Sequence, residues 1–168
     1  MIAALRMRSD QLRDMRSDLA RPHAHAWERV GFIAAAATAA GKGVLLLARG
    51  YMPVADEDYL RDTGVGAAIG SNAFRNALQW AYRDKSTLLH VHAHHGSGRP
   101  GFSGVDLRSG SEFAPSFFTT VPRMPHGMVV LSDDCAYGLL WLAEDRPPVP
   151  IEDFSQTGIH YRRDWNRP

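Results

Sequence analysis

The chain has 168 residues, of which 45% are apolar and 22% are charged, a composition that is ordinary for a folded globular protein. With 19 basic and 18 acidic residues, the formal net charge of +1 gives no electrostatic reason to expect nucleic acid or an anionic membrane as a partner. The single cysteine, Cys135, excludes an internal disulfide and a cysteine-based zinc knuckle.

The length predicts one domain over residues 1–168. The N-terminal sequence MIAALRMRSD has arginines where a signal peptide needs an unbroken apolar core. The longest apolar run, residues 32–40, is too short to span a bilayer. We therefore expect a cytoplasmic protein with no nucleic-acid partner and no membrane partner.

The sequence pattern in the first third of the chain predicts a strand, a helix and a hairpin. Residues 2–7 have the pattern of a short edge strand, and Ser9 is a candidate N-cap for a helix that continues to about residue 20. Alternating residues predict a strand over residues 27–37, although the run of alanines is also compatible with a helix. A glycine-rich turn and a buried strand over residues 44–48 would complete the hairpin.

A polar connection over residues 51–70 leads into a helix and then a histidine-rich strand. Ser71 is a candidate cap for the helix, which has one apolar face up to about residue 84. Residues 86–94 predict a strand whose period of two places alternate histidines on one face and apolar residues on the other. We expect the apolar face to cover the preceding helix and the histidine face to border an open site.

A glycine-rich loop separates this strand from a helix start at residues 103–107. The aromatic stretch that follows has no clear pattern. A strand pair is predicted over residues 127–132 and 136–143, followed by a proline-rich turn and a final extended segment. The tail over residues 160–168 is polar.

Residues 90–106 contain the strongest functional signal. His92 and His94 are two positions apart on the predicted strand, so their imidazoles project to the same side. Asp106 is a candidate third metal ligand after the loop, since a catalytic zinc site takes three protein ligands and keeps one position open. Ser103 lies one helical turn before Asp106. Ser103 and Asp106 also have the spacing of a helix capping box, and both interpretations are compatible.

The segment HVHAHHGSGRPGFSGVD resembles the His-x-His…Ser-x-x-Asp signature of the prokaryotic JAMM (MPN-type, JAB domain) zinc metalloproteases. Glu28, in WERVGFI, matches the glutamate that this family carries far upstream, and the resemblance extends over roughly residues 2–143. The spacing from His94 to Ser103 is one residue longer than is usual in the family. The resemblance implies an α/β fold, a JAMM/MPN-like (cytidine-deaminase-like) mixed β-sheet flanked by helices.

The resemblance also implies a role for each site residue. His92, His94 and Asp106 would bind one Zn²⁺ ion, which lowers the pKa of its water toward ~7. Glu28 would accept a proton from that water and pass it to the leaving nitrogen. Ser103 would donate a hydrogen bond to the oxyanion of the tetrahedral intermediate.

The activity implied by the resemblance is that of a zinc-dependent isopeptidase or peptidase. It would cut after the C-terminal glycine of a ubiquitin-like protein, either to process its precursor or to release it from conjugates. Relatives of this kind occur in antiphage operons such as Bil and CBASS, so the implied partners include ubiquitin-activating-like and ubiquitin-conjugating-like enzymes. The tail of the substrate would dock as an added strand against residues 56–70 or 95–102.

Two alternatives belong to other classes of function. A non-catalytic MPN scaffold would bind a partner protein through the same fold without a complete metal site. A zinc deaminase is disfavoured, because the chain has no His-x-Glu…Pro-Cys-x-x-Cys signature.

The remaining candidate residues have simpler interpretations. His90 shares the face of His92, and we favour a structural role for it over a supporting role at the metal. His95 is a loop residue, Glu57 belongs to a solvated acidic run, and nothing marks Cys135 as a nucleophile. The other histidines have no partner pattern and are predicted to be incidental: His23, His25, His126 and His160.

Overall fold

The computed structural model describes residues 3–62 and 64–157. Seven strands form a closed barrel: β1 (Ala3–Arg8), β2 (Val30–Ala40), β3 (Gly43–Pro53), β6 (Thr87–Ala93), β7 (His126–Leu131), β8 (Ala136–Trp141) and β9 (Val149–Thr157). A separate small hairpin consists of β4 (Tyr59–Leu60) and β5 (Ala68–Ile69). The α-helices of the described residues are α1 (Ser9–Leu19), α2 (Ser71–Asp84) and α3 (Gly104–Thr120), and Asp56–Asp58 forms one turn of 3-10 helix.

The predicted fold class, a JAMM/MPN-like mixed sheet flanked by helices, is wrong because the sheet closes on itself. The strand order around the barrel is β1-β3-β2-β6-β7-β8-β9, and β1 pairs in parallel with both β3 and β9. The predicted edge strand therefore has a neighbour on each side, which is how a barrel removes its edges. This closure joins the two ends of the described chain, a contact that local sequence patterns do not reveal.

The β2–β3 hairpin is confirmed, and the alanine run of residues 34–37 forms strand rather than helix. Strand β2 begins at Val30, so Glu28 precedes the strand on which it was predicted. Residues 30–35 are buried without alternation because both faces of the strand are covered. Phe32 packs against α2 and α3 on the outer face, whereas Ile33 faces the interior of the barrel.

Strand β6 is confirmed, but its apolar face does not cover the helix that we expected. Leu89 and Val91 pack inside the barrel in the same cluster as Met15 and Leu19 of α1. Helix α2 lies on the opposite face, where its alanines pack against Leu88. The histidine face and α2 are therefore on the same side of the sheet.

The helix ends differ from the prediction in small ways. Ser9 and Ser71 are the first helical residues rather than caps, since Arg8 and Gly70 occupy the N-cap positions. Ser103 is an N-cap as predicted, and the uncertain aromatic stretch extends α3 to Thr120.

The strand pair β7–β8 and the extended β9 are confirmed. The predicted polar tail, residues 160–168, lies outside the described residues.

No helix within the described ranges is both long enough and apolar enough to cross a bilayer.

Gly31 is predicted to be essential for packing between β2 and β3. A Cβ atom at this position would overlap the ring of Tyr51, whose hydroxyl donates a 2.6 Å hydrogen bond to Asp18. We expect Gly31→Ala to lower the free energy of unfolding by about 1–3 kcal/mol through overpacking, as measured by urea denaturation. In a Tyr51→Ala background, Gly31→Ala should not lower the free energy of unfolding further. An equal loss of stability in both backgrounds would contradict overlap with the Tyr51 ring as the cause.

Candidate metal centre

The register between β2 and β6 brings together residues that are distant in sequence. The two strands are antiparallel, with Val30 opposite His92. Continuing this register past the strand ends places Glu28 opposite His94, and the Glu28 Oε1 and His94 Nε2 atoms lie 3.8 Å apart. The predicted proton acceptor and a predicted metal ligand therefore meet at one end of the sheet.

His92 and His94 have the geometry of two ligands of a single metal ion. Their Nε2 atoms lie 3.2 Å apart. Two ligands of a tetrahedral zinc, each about 2.0–2.1 Å from the ion, are separated by about 3.3–3.4 Å. The His92 side chain is 2% exposed. Burial lowers the pKa of His92 to about 4, with His94 adding to this effect and Asp106 opposing it, so the imidazole is neutral as a metal ligand must be.

Asp106 reaches the same place from the first turn of α3. Its Oδ2 atom lies 3.7 Å from His92 Nε2 and accepts a 2.7 Å hydrogen bond from the Ser103 N–H. Burial opposes ionisation of this carboxyl. Hydrogen bonds with Ser103 and the two neighbouring imidazoles nevertheless hold its pKa below the usual value. Asp106 is therefore an ionised oxygen donor beside the imidazole pair.

Ser103 and Asp106 form the predicted capping box. The Ser103 Oγ atom accepts a 3.2 Å hydrogen bond from the Asp106 N–H, and the Asp106 carboxylate accepts the bond from Ser103 in return. A hydroxyl that accepts one hydrogen bond still has its own hydrogen to donate. The cap is thus compatible with donation of a hydrogen bond to a substrate.

Glu28 lies on the segment before β2, and its backbone is held by the loop that precedes β5. The N–H groups of Trp27 and Glu28 both donate to the Gly66 carbonyl, at 2.9 and 3.1 Å. Burial raises the pKa of the Glu28 carboxyl and the negative charge of Asp106 adds to this, whereas His94 and His95 oppose it. A carboxylate with a raised pKa is a better proton acceptor at neutral pH.

All five predicted site residues line a single cleft, but the tightest group differs from the predicted ligand set. Among the described residues, Glu28, His92 and His94 offer donor atoms that all lie within 4.8 Å of one another. This group could hold a metal ion. Asp106 Oδ2 approaches the same group through His92. The third protein ligand is therefore either the predicted Asp106 or Glu28.

The loop between His94 and Ser103 is anchored to the turn between β7 and β8. The N–H groups of Gly96 and Gly98 donate to Asp133 and Asp134, at 3.3 and 2.7 Å. Ser132 Oγ donates to the Gly98 carbonyl at 2.7 Å. These bonds position the loop and, with it, the start of α3.

A cleft of about 710 Å³ runs from this centre between α3 and the loop of residues 64–69. Trp27 lines its rim and is 80% exposed. The interior of the cleft is partly aromatic, with Phe74 and Phe113 beyond the histidines. A polypeptide segment could therefore reach the candidate metal centre from solvent.

His90 lies among aromatic side chains on the same face of β6 as His92. Its ring packs against Phe32 and Phe113, with centroid distances of 5.6 and 5.2 Å. Its buried Nδ1 atom has no hydrogen-bond partner among residues 3–62 and 64–157. His95 is exposed, as expected for a loop residue.

His126 was predicted to be incidental, and this is wrong. It is fully buried, accepts a 3.1 Å hydrogen bond from the Leu88 N–H at Nδ1, and contacts the Val121 carbonyl with Nε2 at 3.0 Å. Its role is to join β6 to the end of α3.

His160 lies outside the described residues, and Cys135 is exposed.

Two residues that contribute to the site were missed from the sequence. Gly66 supplies the carbonyl that holds the backbone of Glu28. The buried Arg29 guanidinium donates to Asp56 at 2.8 Å and to the carbonyls of Arg21 and Pro22, which fixes the segment before β2. Neither has a local signal, because a loop glycine and a strand-end arginine are common outside functional sites.

Comparisons with known proteins do not show a family. No protein-family model matches the chain, and no curated protein matches it. Among solved structures, the chain is similar to the Trichoplax adhaerens STIL N-terminal domain, with a TM-score of 0.37 and 9% sequence identity. The likeness covers 82% of this chain but only 40% of that one. This likeness carries no argument about function.

The predicted ligand set can be tested by metal content. Loss of a residue that only hydrogen-bonds a metal ligand weakens metal binding by about 10- to 100-fold. We expect His92→Ala and Asp106→Asn to weaken zinc binding by more than this, because each removes an atom that binds the metal. Glu28→Gln should retain zinc. Competition with a chelating dye would measure the affinities, with His95→Ala as the matched histidine control. If Glu28→Gln loses zinc and Asp106→Asn retains it, Glu28 is the third metal ligand and Asp106 is not.

Proposed function

We propose that the protein is a zinc-dependent isopeptidase or peptidase that cleaves after the C-terminal glycine of a ubiquitin-like protein. The observation that carries the proposal is the convergence of Glu28, His92, His94, Ser103 and Asp106 in the lining of one cleft. The proposal depends on this site and on the JAMM-type sequence motif. It does not depend on the fold, since one fold hosts many activities and the predicted fold class was wrong.

The choice of zinc rests on the chemistry of the donors. Two neutral imidazole nitrogens and a carboxylate oxygen, with no sulfur, form the ligand set of many catalytic zinc sites. Bound Zn²⁺ would polarise a water molecule and the substrate carbonyl. The 3.2 Å separation of the His92 and His94 Nε2 atoms supports this choice.

Glu28 and Ser103 would have different roles in the reaction, one in proton transfer and the other in stabilising negative charge. The Glu28 carboxylate, 3.8 Å from His94 Nε2, would accept the proton of the attacking water and deliver it to the leaving nitrogen. The Ser103 hydroxyl, at the N-terminus of α3, would donate to the oxygen on which negative charge develops. The positive end of the helix dipole would favour the same charge.

The lining of the cleft favours one of the two predicted docking segments. Residues 64–69 line the cleft, and within the described residues β5 pairs only with β4, which leaves its other side without a strand. An extended substrate tail could add to this side by main-chain hydrogen bonds. Residues 95–102 do not line the cleft, and hydrogen bonds from Gly96 and Gly98 to the β7–β8 turn hold this loop in place. We therefore place the tail beside residues 64–69.

The biological setting follows from the sequence resemblance alone. Action in a cytoplasmic antiphage system, beside ubiquitin-activating-like and ubiquitin-conjugating-like enzymes, stays a prediction. The alternative of a non-catalytic partner-binding protein gains no support from the site, because each residue required for catalysis is near the others.

Cleavage of a fusion between a ubiquitin-like protein and a peptide tests the activity directly. We expect the zinc-loaded protein to cut after the terminal glycine, and we expect Glu28→Ala, His92→Ala or a chelator to abolish cutting. Mass spectrometry of the products identifies the cut bond. Undiminished cleavage in all three preparations would contradict the mechanism. Zinc binding without cleavage of any ubiquitin-like fusion would favour another substrate, and absence of zinc would favour the partner-binding alternative.

Ser103 is predicted to contribute to both catalysis and helix capping. Ser103→Ala should lower kcat by about 100- to 1,000-fold through loss of an oxyanion donor, and unfolding stability by about 0.5–2 kcal/mol through loss of the cap. Ser103→Thr keeps a hydroxyl and a cap, so it should restore stability and most of the activity. Loss of stability in Ser103→Ala with full kcat would leave Ser103 only the capping role.

A further inference from the structure

We propose that Gly66 is a positioning residue for the Glu28 carboxylate. The inference rests on the proposed function, because it assumes that Glu28 moves the proton. Gly66 belongs to the loop between β4 and β5, remote in sequence from Glu28 and from every predicted metal ligand. Two separate observations connect it to Glu28, one through its carbonyl and one through its missing side chain.

The carbonyl of Gly66 fixes the backbone at Glu28. It accepts hydrogen bonds from two successive N–H groups, those of Trp27 at 2.9 Å and Glu28 at 3.1 Å. These residues precede β2, so the sheet ladder does not hold them. The bonds to Gly66 supply a fixed attachment at the position from which the Glu28 side chain extends.

The missing side chain of Gly66 provides space for the carboxylate itself. A Cβ atom built on Gly66 would lie 2.7 Å from Glu28 Oε2 and 2.8 Å from Glu28 Cδ. The next nearest atom, at 3.2 Å, is the other carboxylate oxygen of Glu28. The Glu28 carboxylate thus lies against the α-carbon of Gly66, and any side chain at this position would displace it.

Alanine at position 66 should displace the carboxylate without unfolding the chain. Gly66 is not among the glycines that have a positive φ, so its backbone conformation is open to alanine. The atoms in conflict are at the far end of a flexible side chain, which can rotate away. The expected result is an intact protein in which Glu28 no longer faces His94.

The test compares Gly66→Ala with Glu28→Gln and with Gly50→Ala. Gly50 is the matched control because a Cβ there would also make a tight contact with the end of a side chain, 3.1 Å from the Trp80 ring, but on β3. Four quantities would be measured: zinc affinity, melting temperature, kcat on the ubiquitin-like fusion, and the pH dependence of the visible spectrum of the cobalt-substituted protein.

We expect Gly66→Ala to lower kcat by about 10- to 100-fold, the effect of misplacing a catalytic group by about 1 Å. Zinc affinity and melting temperature should stay at the wild-type values. The midpoint of the cobalt pH profile should shift in the same direction in Gly66→Ala and Glu28→Gln, because both remove the carboxylate from the water on the metal. Gly50→Ala should match the wild type in kcat and in the cobalt profile.

The outcomes separate this inference from the proposed function. If Gly66→Ala has the wild-type kcat and cobalt profile while Glu28→Gln is inactive, the role of Gly66 is overturned and that of Glu28 stands. A fully active Glu28→Gln would overturn the role of Glu28 and with it that of Gly66. If the wild type cuts no fusion, the proposed function fails, and the cobalt profiles still decide whether Gly66 positions Glu28.

Discussion

The antiparallel pairing of β2 with β6 is the contact on which the candidate site depends. With Val30 opposite His92, the chain entering β2 passes the chain leaving β6, and Glu28 meets His94 beyond the ends of the ladder. A slip of one residue in this register would turn every side chain of β6 to the opposite face. Both faces are buried by different partners, so the register is strongly specified. The positions of the imidazoles therefore follow from the packing of the whole barrel.

The crossover from β6 to β7 completes the site. These strands are parallel, so the connection must return along the sheet, and it does so through α3. The N-terminus of α3 then lies near the end of β6, where Ser103 and Asp106 face the histidines. Groups at the carboxyl ends of parallel strands commonly form binding sites for this reason. The loop of residues 64–69 closes the opposite side of the cleft.

The sequence predicted the local parts of the site better than the fold around it. The histidine strand, the hairpin and the Ser103–Asp106 capping box were confirmed, because each depends on residues close together in the chain. Closure of the barrel through β1 and β9 was missed, since it pairs strands from opposite ends of the described chain. Gly66 was missed for the same reason: its importance comes from the position of Glu28, and no pattern around Gly66 indicates it.

The proposed function requires that His92 and His94 bind one metal ion through their Nε2 atoms. Anomalous X-ray diffraction at the zinc edge, on crystals of the zinc-loaded protein, tests it most directly. The structure predicts a single strong peak within about 2.0–2.1 Å of both Nε2 atoms, with a carboxylate oxygen of Asp106 or Glu28 at a similar distance. A peak elsewhere, or no peak between the two imidazoles at full zinc loading, would contradict the claim.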